Sequence, residues 1–297
     1  MNTMNVRPES PRTSELPSEL EREIFEIAAS SHPKWIPKLV LVARRVRIWL
    51  EPELYRIMRS GKGRVIPPLY TGEKEGDNDV LDLNRLQQYG RHVKHILLQK
   101  RPSQEIGHIL NCCPNVHNLA LWMIRGSCTH LIPILEGLPL RRLSFDPSYF
   151  FQNYAKDSSV PFDQALFHNI THLEVLNATV AWSKWKQLAH LPRLTHLALV
   201  GVVNQALIDC VLAECRNLEL FVTFFMYTDH PGGDILVPQK DPRVVFLKKI
   251  IGHLDHWEVG ARGEEDFWIK GERCKKKAMR KDFTNVASTR LSLPISL

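Results

Sequence analysis

The sequence lacks long apolar runs. No window of the 297-residue chain approaches 18 consecutive apolar residues, and its first residues, M-N-T-M-N-V-R-P-E-S-P-R, contain no apolar stretch typical of secretory signals. We therefore expect neither a membrane span nor a secretory signal, and a location in the cytosol or the nucleus. With 44% hydrophobic and 24% charged residues, the composition is that of ordinary globular protein, and the length fits one large or two modest domains.

Recognisable catalytic motifs are also lacking. The chain contains neither G-x-S-x-G nor H-E-x-x-H, so we expect no enzymatic activity and no cofactor. Its 6 cysteines include no C-x-x-C pair, and the adjacent Cys112 and Cys113 have poor geometry for disulfides, which predicts reduced thiols packed as small hydrophobes. His108 and His117 flank these cysteines at spacings that metal ligands use, but the repeat described below assigns the cysteines to a core, and we predict no metal site.

The N-terminal stretch has the pattern of a short amphipathic helix. A helix is predicted over about residues 17–29, because Ser14 can cap its start and proline is tolerated in a first turn. Leu20, Ile24 and Ile27 recur at helical spacing, so one face of this helix is apolar.

Prolines divide the residues that follow. Pro33 and Pro37 interrupt the first helix, a second apolar run begins at Leu39, and Pro52 ends it, after which we predict a short third helix over Glu53–Met58. Three short helices bury little apolar surface, so this unit should depend on a partner or on the rest of the chain.

Three motifs of this stretch occur together in one family. L-P-S-E-L begins at Leu16, V-A-R-R-V begins at Val42 and W-L-E-P-E-L-Y begins at Trp49. In this order and spacing they resemble the F-box, and most of all the F-box-like domain common in mushroom-forming fungi. The resemblance implies a helical domain that docks a Skp-type adaptor. The residues that match family positions facing the adaptor or forming the core are Leu16, Pro17, Leu20, Ile24, Phe25, Leu41, Val42, Val46 and Trp49. An ordinary helical cap on the following repeats is the alternative.

A repeat of the form L-x-x-L-x-L appears beyond residue 80. Its instances begin at Val93, Val116, Leu140, Ile170, Leu194 and Leu218, with successive spacings of 23, 24, 30, 24 and 24 residues. Such periods predict one strand per repeat, with a seventh strand at Arg243–Leu247. Segments of helical spacing lie between several of these strands, beginning after Ser103, Thr129 and Asn204 and, in one repeat, including Trp182, Trp185 and Leu188.

Alternating strands and helices predict an α/β fold with one curved parallel sheet and helices on its outer side. Leu121, Leu143, Leu173 and Leu197 should point into one core between sheet and helices. Ala120, Glu174 and Ala198, one place away, should lie on the opposite face of the sheet, where a target would bind.

The repeats resemble leucine-rich repeats imperfectly. The asparagine that usually follows the L-x-x-L-x-L core is replaced by Ile124, Ser148, Ala178 and Val202, so we expect an irregular solenoid. The longest repeat carries an insertion at 146–160 with four aromatic residues. They either pack on the sheet or form a target-contact loop, and they are Tyr149, Phe150, Phe151 and Tyr154.

The C-terminal region carries most of the net charge of +7. We predict an edge strand at His253–Val259 and a helix from Glu264 to about Lys281, whose acidic start and basic end suit the helix dipole. Because the excess of +5 between Lys240 and Lys281 is modest, we do not expect nucleic-acid binding.

These patterns divide the chain into a disordered lead-in (1–13), an F-box-like helical domain (14–59), a linker loop (60–79), a leucine-rich-repeat-like solenoid (80–260), a basic helix (261–281) and a disordered tail (282–297). The layout is that of F-box substrate receptors of cullin-based ubiquitin ligases. It implies a Skp-type adaptor, through it a cullin, and an unknown protein target as partners. A stand-alone interaction module and a basic nucleic-acid-associated protein are the alternatives.

Overall fold

The computed structural model describes residues 16–60, 70–75, 78–151, 159–224, 241–247 and 252–290, with the backbone alone described at 60, 70–75, 78–80 and 281–290. It divides into two compact units, one ending at Leu54 and the other beginning at Tyr55. The predicted boundary at residue 59 falls inside the first strand of the second unit.

The first unit is helical, and we call it the helical unit. Its core is formed by Ala29, Ile36, Val46 and Leu50, which are buried and packed together. Its helices are α1 (Ser18–Ser31), α2 (Ile36–Leu39) and α3 (Arg44–Leu54), with a 3-10 turn at Pro33–Trp35. α1 starts after Pro17 without a side-chain cap, and the predicted cap Ser14 lies outside the described residues.

The third helix predicted over Glu53–Met58 is wrong. α3 continues through Pro52 to Leu54, and Ile57–Ser60 forms strand β1, which pairs in parallel with His95–Leu98. Burial explains the difference, because Met58 fills the core of the second unit as the first member of its sheet. A lone strand before the first recognisable repeat carries no periodic signal.

The second unit contains a parallel sheet of eight strands. Apart from the interposed hairpin described below, its strands neighbour one another in sequence order, as the repeat predicted. The strands after β1 are β4 (His95–Gln99), β5 (Asn118–Trp122), β6 (Arg142–Phe145), β7 (His172–Ala178), β8 (His196–Gly201), β9 (Leu220–Phe224) and β10 (Val244–Phe246).

A two-stranded antiparallel hairpin lies in the predicted linker, and its strands are β2 (Tyr70–Glu75) and β3 (Asn78–Leu81). The linker is therefore not a loop throughout.

Helices follow most of the strands on one side of the sheet, which confirms the predicted α/β alternation. α9 starts as predicted, because Asn204 Oδ1 accepts a hydrogen bond of 2.9 Å from the amide of Leu207. These helices are α4 (Leu83–Tyr89), α5 (Ser103–Cys112), α6 (Leu131–Glu136), α7 (Pro147–Phe150), α8 (Trp182–Trp185) and α9 (Gln205–Glu214).

We call the side of the sheet that packs against these helices the helix face. Leu121, Leu143, Leu173 and Leu197 all lie in its core, as predicted. We call the opposite side the cover face; it includes the predicted Ala120, Glu174 and Ala198, all of which are buried.

Two C-terminal helices pack on the cover face: α10 (His253–Ala261) and α11 (Phe267–Arg290), together called the cover. The edge strand predicted at His253–Val259 is wrong. Leu254, Trp257 and Ala261 recur at helical spacing and turn one side of α10 inward. α11 also runs beyond the predicted end at Lys281 into the predicted tail. None of the helices in the described ranges is both long and apolar enough to span a membrane.

Successive repeats are joined by the same backbone bonds at their strand starts. The amides of Thr171 and His172 both donate to the carbonyl of Arg141, at 2.8 and 3.1 Å. The amides of Thr195 and His196 donate in turn to the carbonyl of Thr171, at 3.0 and 2.9 Å. The strands from β4 to β9 therefore each dock on the preceding strand through one shared acceptor, whereas the amide of Val244 in β10 donates to the carbonyl of Asp241.

Candidate functional site

The helical unit exposes much of the apolar stripe of α1. Ile24 retains 55% of its accessible surface, and Leu41 and Val42, in the turn before α3, retain 82% and 61%. Pro17 is exposed as well. We call this set the apolar surface of the helical unit, and its members are Leu16, Pro17, Leu20, Ile24, Ile27, Leu41 and Val42.

The remaining predicted residues of the helical unit belong to its core. Val46 is fully buried, and Phe25 and Trp49 are partly buried against it and against Leu50. The structure thus separates two roles that the sequence left together. Phe25, which the resemblance assigns to the adaptor surface or the core, belongs to the core, because its side chain packs against it.

An ion pair joins α1 to α3. Nε and Nη2 of Arg45 each lie 2.6 Å from a carboxylate oxygen of Glu21. The hydrogen bond from Arg45 lowers the pKa of Glu21. Because Arg45 is exposed and Glu21 only half-buried, we expect the pair to contribute little to stability.

Sequence reasoning missed two exposed apolar residues of the helical unit, Trp35 and Ile48. The ring of Trp35 stacks on His32, with ring centroids 4.6 Å apart. Neither residue is in phase with the stripe of α1, so the periodic pattern gave no signal for them.

The predicted target-contact loop is mostly core. Phe150 and Phe151 are buried and meet Phe145 edge to face, so the packing interpretation holds for these two and the contact interpretation is wrong. Tyr149 is exposed, and Tyr154 lies outside the described residues.

The cover face carries a row of polar side chains at the strand starts. Strand pairing sets His95, Asn118, Arg142, His172 and His196 side by side across β4 to β8. The rings of His172 and His196 stack with centroids 4.1 Å apart. Asn118 Nδ2 lies 3.2 Å from His95 Nδ1. We call these five residues the polar row.

Burial keeps the histidines of the polar row neutral. Desolvation, assisted by the neighbouring His196 and Arg142, lowers the pKa of His172 to about 2. Desolvation and His117 lower the pKa of His95 to about 3. The pKa of His196 is lowered too, because burial outweighs the opposing effect of Glu272 and Glu219.

Charged and polar pairs hold the cover on the sheet. Arg59 of β1 lies 2.6 Å from Asp255 and 3.0 Å from Glu258 on α10. Three further pairs reach from β6, β7 and β8 to the cover, and they are Arg142–Asp266 at 3.6 Å, Glu174–His253 at 2.8 Å and His196–Glu272 at 3.5 Å.

A small cavity lies under the turn between α10 and α11, at the centre of the cover face. Asn118, Ser144 and Glu174 line it from the sheet, and His256 and Asp266 line it from the cover. Its volume of about 30 Å³ suits a few water molecules at most. Nδ1 of His256 is buried without a hydrogen-bond partner in the described part of the chain.

The basic segment of α11 combines an acidic cap with a cationic end. Asp266 Oδ1 accepts a hydrogen bond of 2.9 Å from the amide of Ile269, and Lys275 pairs with Glu272 at 2.9 Å. Lys276 and Lys277 are exposed. In the ranges that the structure describes, no three histidine, cysteine or acidic side chains form a group that could hold a metal ion.

Comparison with known proteins adds no family to this picture. A scan against protein-family models found no match. A search of curated proteins found no significantly similar relative.

Proposed function

We propose that this protein is a substrate-recognition subunit of a cullin-based ubiquitin ligase, whose helical unit docks a Skp-type adaptor and whose repeats bind a protein target. The observation that carries the proposal is the apolar surface of the helical unit. Ile24, Leu41 and Val42 are exposed although the unit has a core of its own, so they are not needed to fill it. Exposed apolar side chains grouped in this way typically mark a protein interface.

Apart from Ile27, the residues of this surface are those that the F-box resemblance assigns to the adaptor or the core. Once Val46, Phe25 and Trp49 are set aside as core, the exposed remainder falls on α1, on the two residues before it and on the turn that ends in Val42. Docking would bury these side chains together and contribute about 25 cal/mol for each square ångström of apolar surface removed from water.

The second unit supports the other half of the proposal. Its parallel strands follow one another in sequence order and are joined by shared carbonyl acceptors, as stacked repeats require. Asn115 and Asn217, which precede β5 and β9, each donate to a backbone carbonyl of the previous repeat, at 2.7 and 3.1 Å. These bonds favour a leucine-rich-repeat-like solenoid. Such a receptor acts without chemistry, by raising the effective concentration of its target near the ligase.

The test is co-purification of a Skp-type adaptor with the full chain. We expect Ile24→Asp to abolish it, because docking would bury a carboxylate without a partner. The matched control is Ile48→Asp, an equally exposed isoleucine of α3 outside the family positions, which should retain the adaptor. Phe25→Asp is unsuitable, since it would unfold the helical unit.

Adaptor recovery that is unchanged by Ile24→Asp would contradict the proposal and favour the stand-alone interaction module. Loss of the adaptor with both variants alike would contradict the assignment of docking to the family positions in particular.

A further inference from the structure

The cover face is the side of the sheet on which a target was expected to bind, and in this structure the chain's own C-terminal helices occupy it. α10 contacts β1, and α11 contacts β9 and β10. Phe267 and Trp268, at the start of α11, are buried against this face, and Trp268 meets the stacked rings of His172 and His196 edge to face.

The fit between α11 and the sheet is close. A Cβ atom added to Gly271 would lie 3.0 Å from Leu220 and 3.1 Å from Val222, so a larger side chain there would have to displace these neighbours or the helix. The cover therefore occupies a surface that is shaped to receive a helix.

The interface is an apolar cluster that also buries charged side chains. Glu174 and Asp266 are buried, with 3% and 5% of their surfaces accessible, and burial raises the pKa of Asp266. A cavity remains at its centre, and a buried nitrogen of His256 lacks a partner among the described residues. Interfaces that combine apolar packing with buried charges and a cavity occur between parts that separate.

We propose that the cover face is a binding site for a helix and that α10 and α11 occupy it in cis, in competition with a helical segment of a protein partner. The partner's helix would carry the chemistry that the cover now supplies, which is an acidic cap followed by two aromatic residues and an acidic residue one turn later, as in Asp266, Phe267, Trp268 and Glu272. The inference rests on the proposed function only in naming this partner as the target.

The cis occupant has a concentration advantage. A segment held on the same chain faces its site at an effective concentration in the millimolar range, so a free helix of equal quality binds the intact protein only weakly. Weakening the cover in cis, without altering the sheet, should therefore open the site to a free helix.

The test uses the full chain and a fluorescent peptide of residues 253–290, followed by anisotropy. We expect the peptide to bind Gly271→Leu protein at least tenfold more tightly than unaltered protein, because leucine pushes α11 off β9. Cys274→Leu, the same side chain at an exposed position of the same helix, is the control and should bind like unaltered protein. A peptide that itself carries Gly271→Leu should bind none of these proteins.

A second variant decides the case if Gly271→Leu fails to fold. The double change Phe267→Ala and Trp268→Ala weakens the cover and leaves every sheet residue in place, so it should also admit the peptide. Equal peptide affinity for unaltered and weakened proteins, or loss of the whole sheet in both variants, would overturn the proposal. Neither outcome involves the adaptor, so this experiment and the co-purification test succeed or fail independently.

Discussion

The two faces of the sheet are built from the same strands but differ in the polar side chains that they bury. In the described strands, the buried polar side chains are His95, Asn118, Ser144 and Glu174 on the cover face and Thr223 alone on the helix face. The helix face is therefore held by apolar packing, and the cover face by apolar packing together with ionisable pairs. Burial of apolar side chains stabilises the folded state, whereas buried ion pairs contribute little net stability and mainly fix how the two parts are oriented.

Two phenylalanines of β9 sharpen this comparison most. Phe221 is fully buried on the helix face, so Phe221→Ala should lower the free energy of unfolding by about 3–5 kcal/mol. Phe224 lies on the cover face beside Phe267, with ring centroids 5.2 Å apart. If the cover can open locally, Phe224→Ala can lower the free energy of unfolding by no more than the free energy that attaches the cover. We therefore expect about half the effect of Phe221→Ala. Denaturant unfolding followed by circular dichroism measures both, and equal costs would mean that the two faces form one cooperative core.

The pH dependence of stability tests the polar row. The pKa of His172 is about 2 in the folded protein, against an ordinary value of 6.5, so the unfolded chain takes up the proton first as the pH falls. The contribution of neutral His172 to the free energy of unfolding is present above pH 6.5 and is lost as the pH falls below this value. The loss should be about 1–2 kcal/mol between pH 7 and pH 5. Denaturant midpoints at the two pH values measure the loss, which His172→Gln should reduce.

The exposed His168 supplies the control. His168→Gln should leave the pH profile of the parent chain unchanged. If His172→Gln leaves it unchanged as well, the proton uptake arises elsewhere in the molecule.

The smallest expected effect concerns Asp266, where the cap of α11 and a charged pair coincide. Asp266→Ala removes the acceptor for the amide of Ile269 and should cost about 1 kcal/mol. Asp266→Asn keeps an acceptor for this amide and removes only the negative charge of a carboxyl group whose pKa is raised by burial. It should therefore lower the free energy of unfolding by no more than about half as much. Thermal or denaturant unfolding distinguishes the two, and equal costs would assign the effect to the contact with Arg142.

The repeat phase was readable from sequence because each strand carries two leucine-like positions of period two on one face. That spacing was enough to predict the parallel order and the core positions of Leu121 and Leu173. β1 was missed because Ile57 and Met58 complete the sheet without a repeat of their own. The helical stretch before them obscured the change from helix to strand.

The cover was also missed, although a signal for it was present. β5 reads Asn-Leu-Ala-Leu-Trp and β9 reads Leu-Phe-Val-Thr-Phe, and strands that are apolar at successive positions are typical of sheets buried on both faces. Alternation had been used to place Ala120 and Ala198 on a free face. Their small apolar side chains instead indicated that something packs there. The polar row did give a sequence signal, because each of its members lies two residues after the start of a repeat, and the recurring histidines indicated a polar repeat position. Its burial under the cover carried no such signal.

The shared carbonyl acceptors at the starts of β4 to β9 would let a stack of such repeats grow one strand at a time. The cover makes that growth costly. Its two helices reach both ends of the sheet, because α10 contacts β1 and α11 contacts β9 and β10. A ninth strand would leave one row of apolar side chains in water, and a seven-strand sheet would leave part of the cover unsupported. The C-terminal helices thus act as a gauge of length: they match the number of strands to a segment that lies outside the repeats.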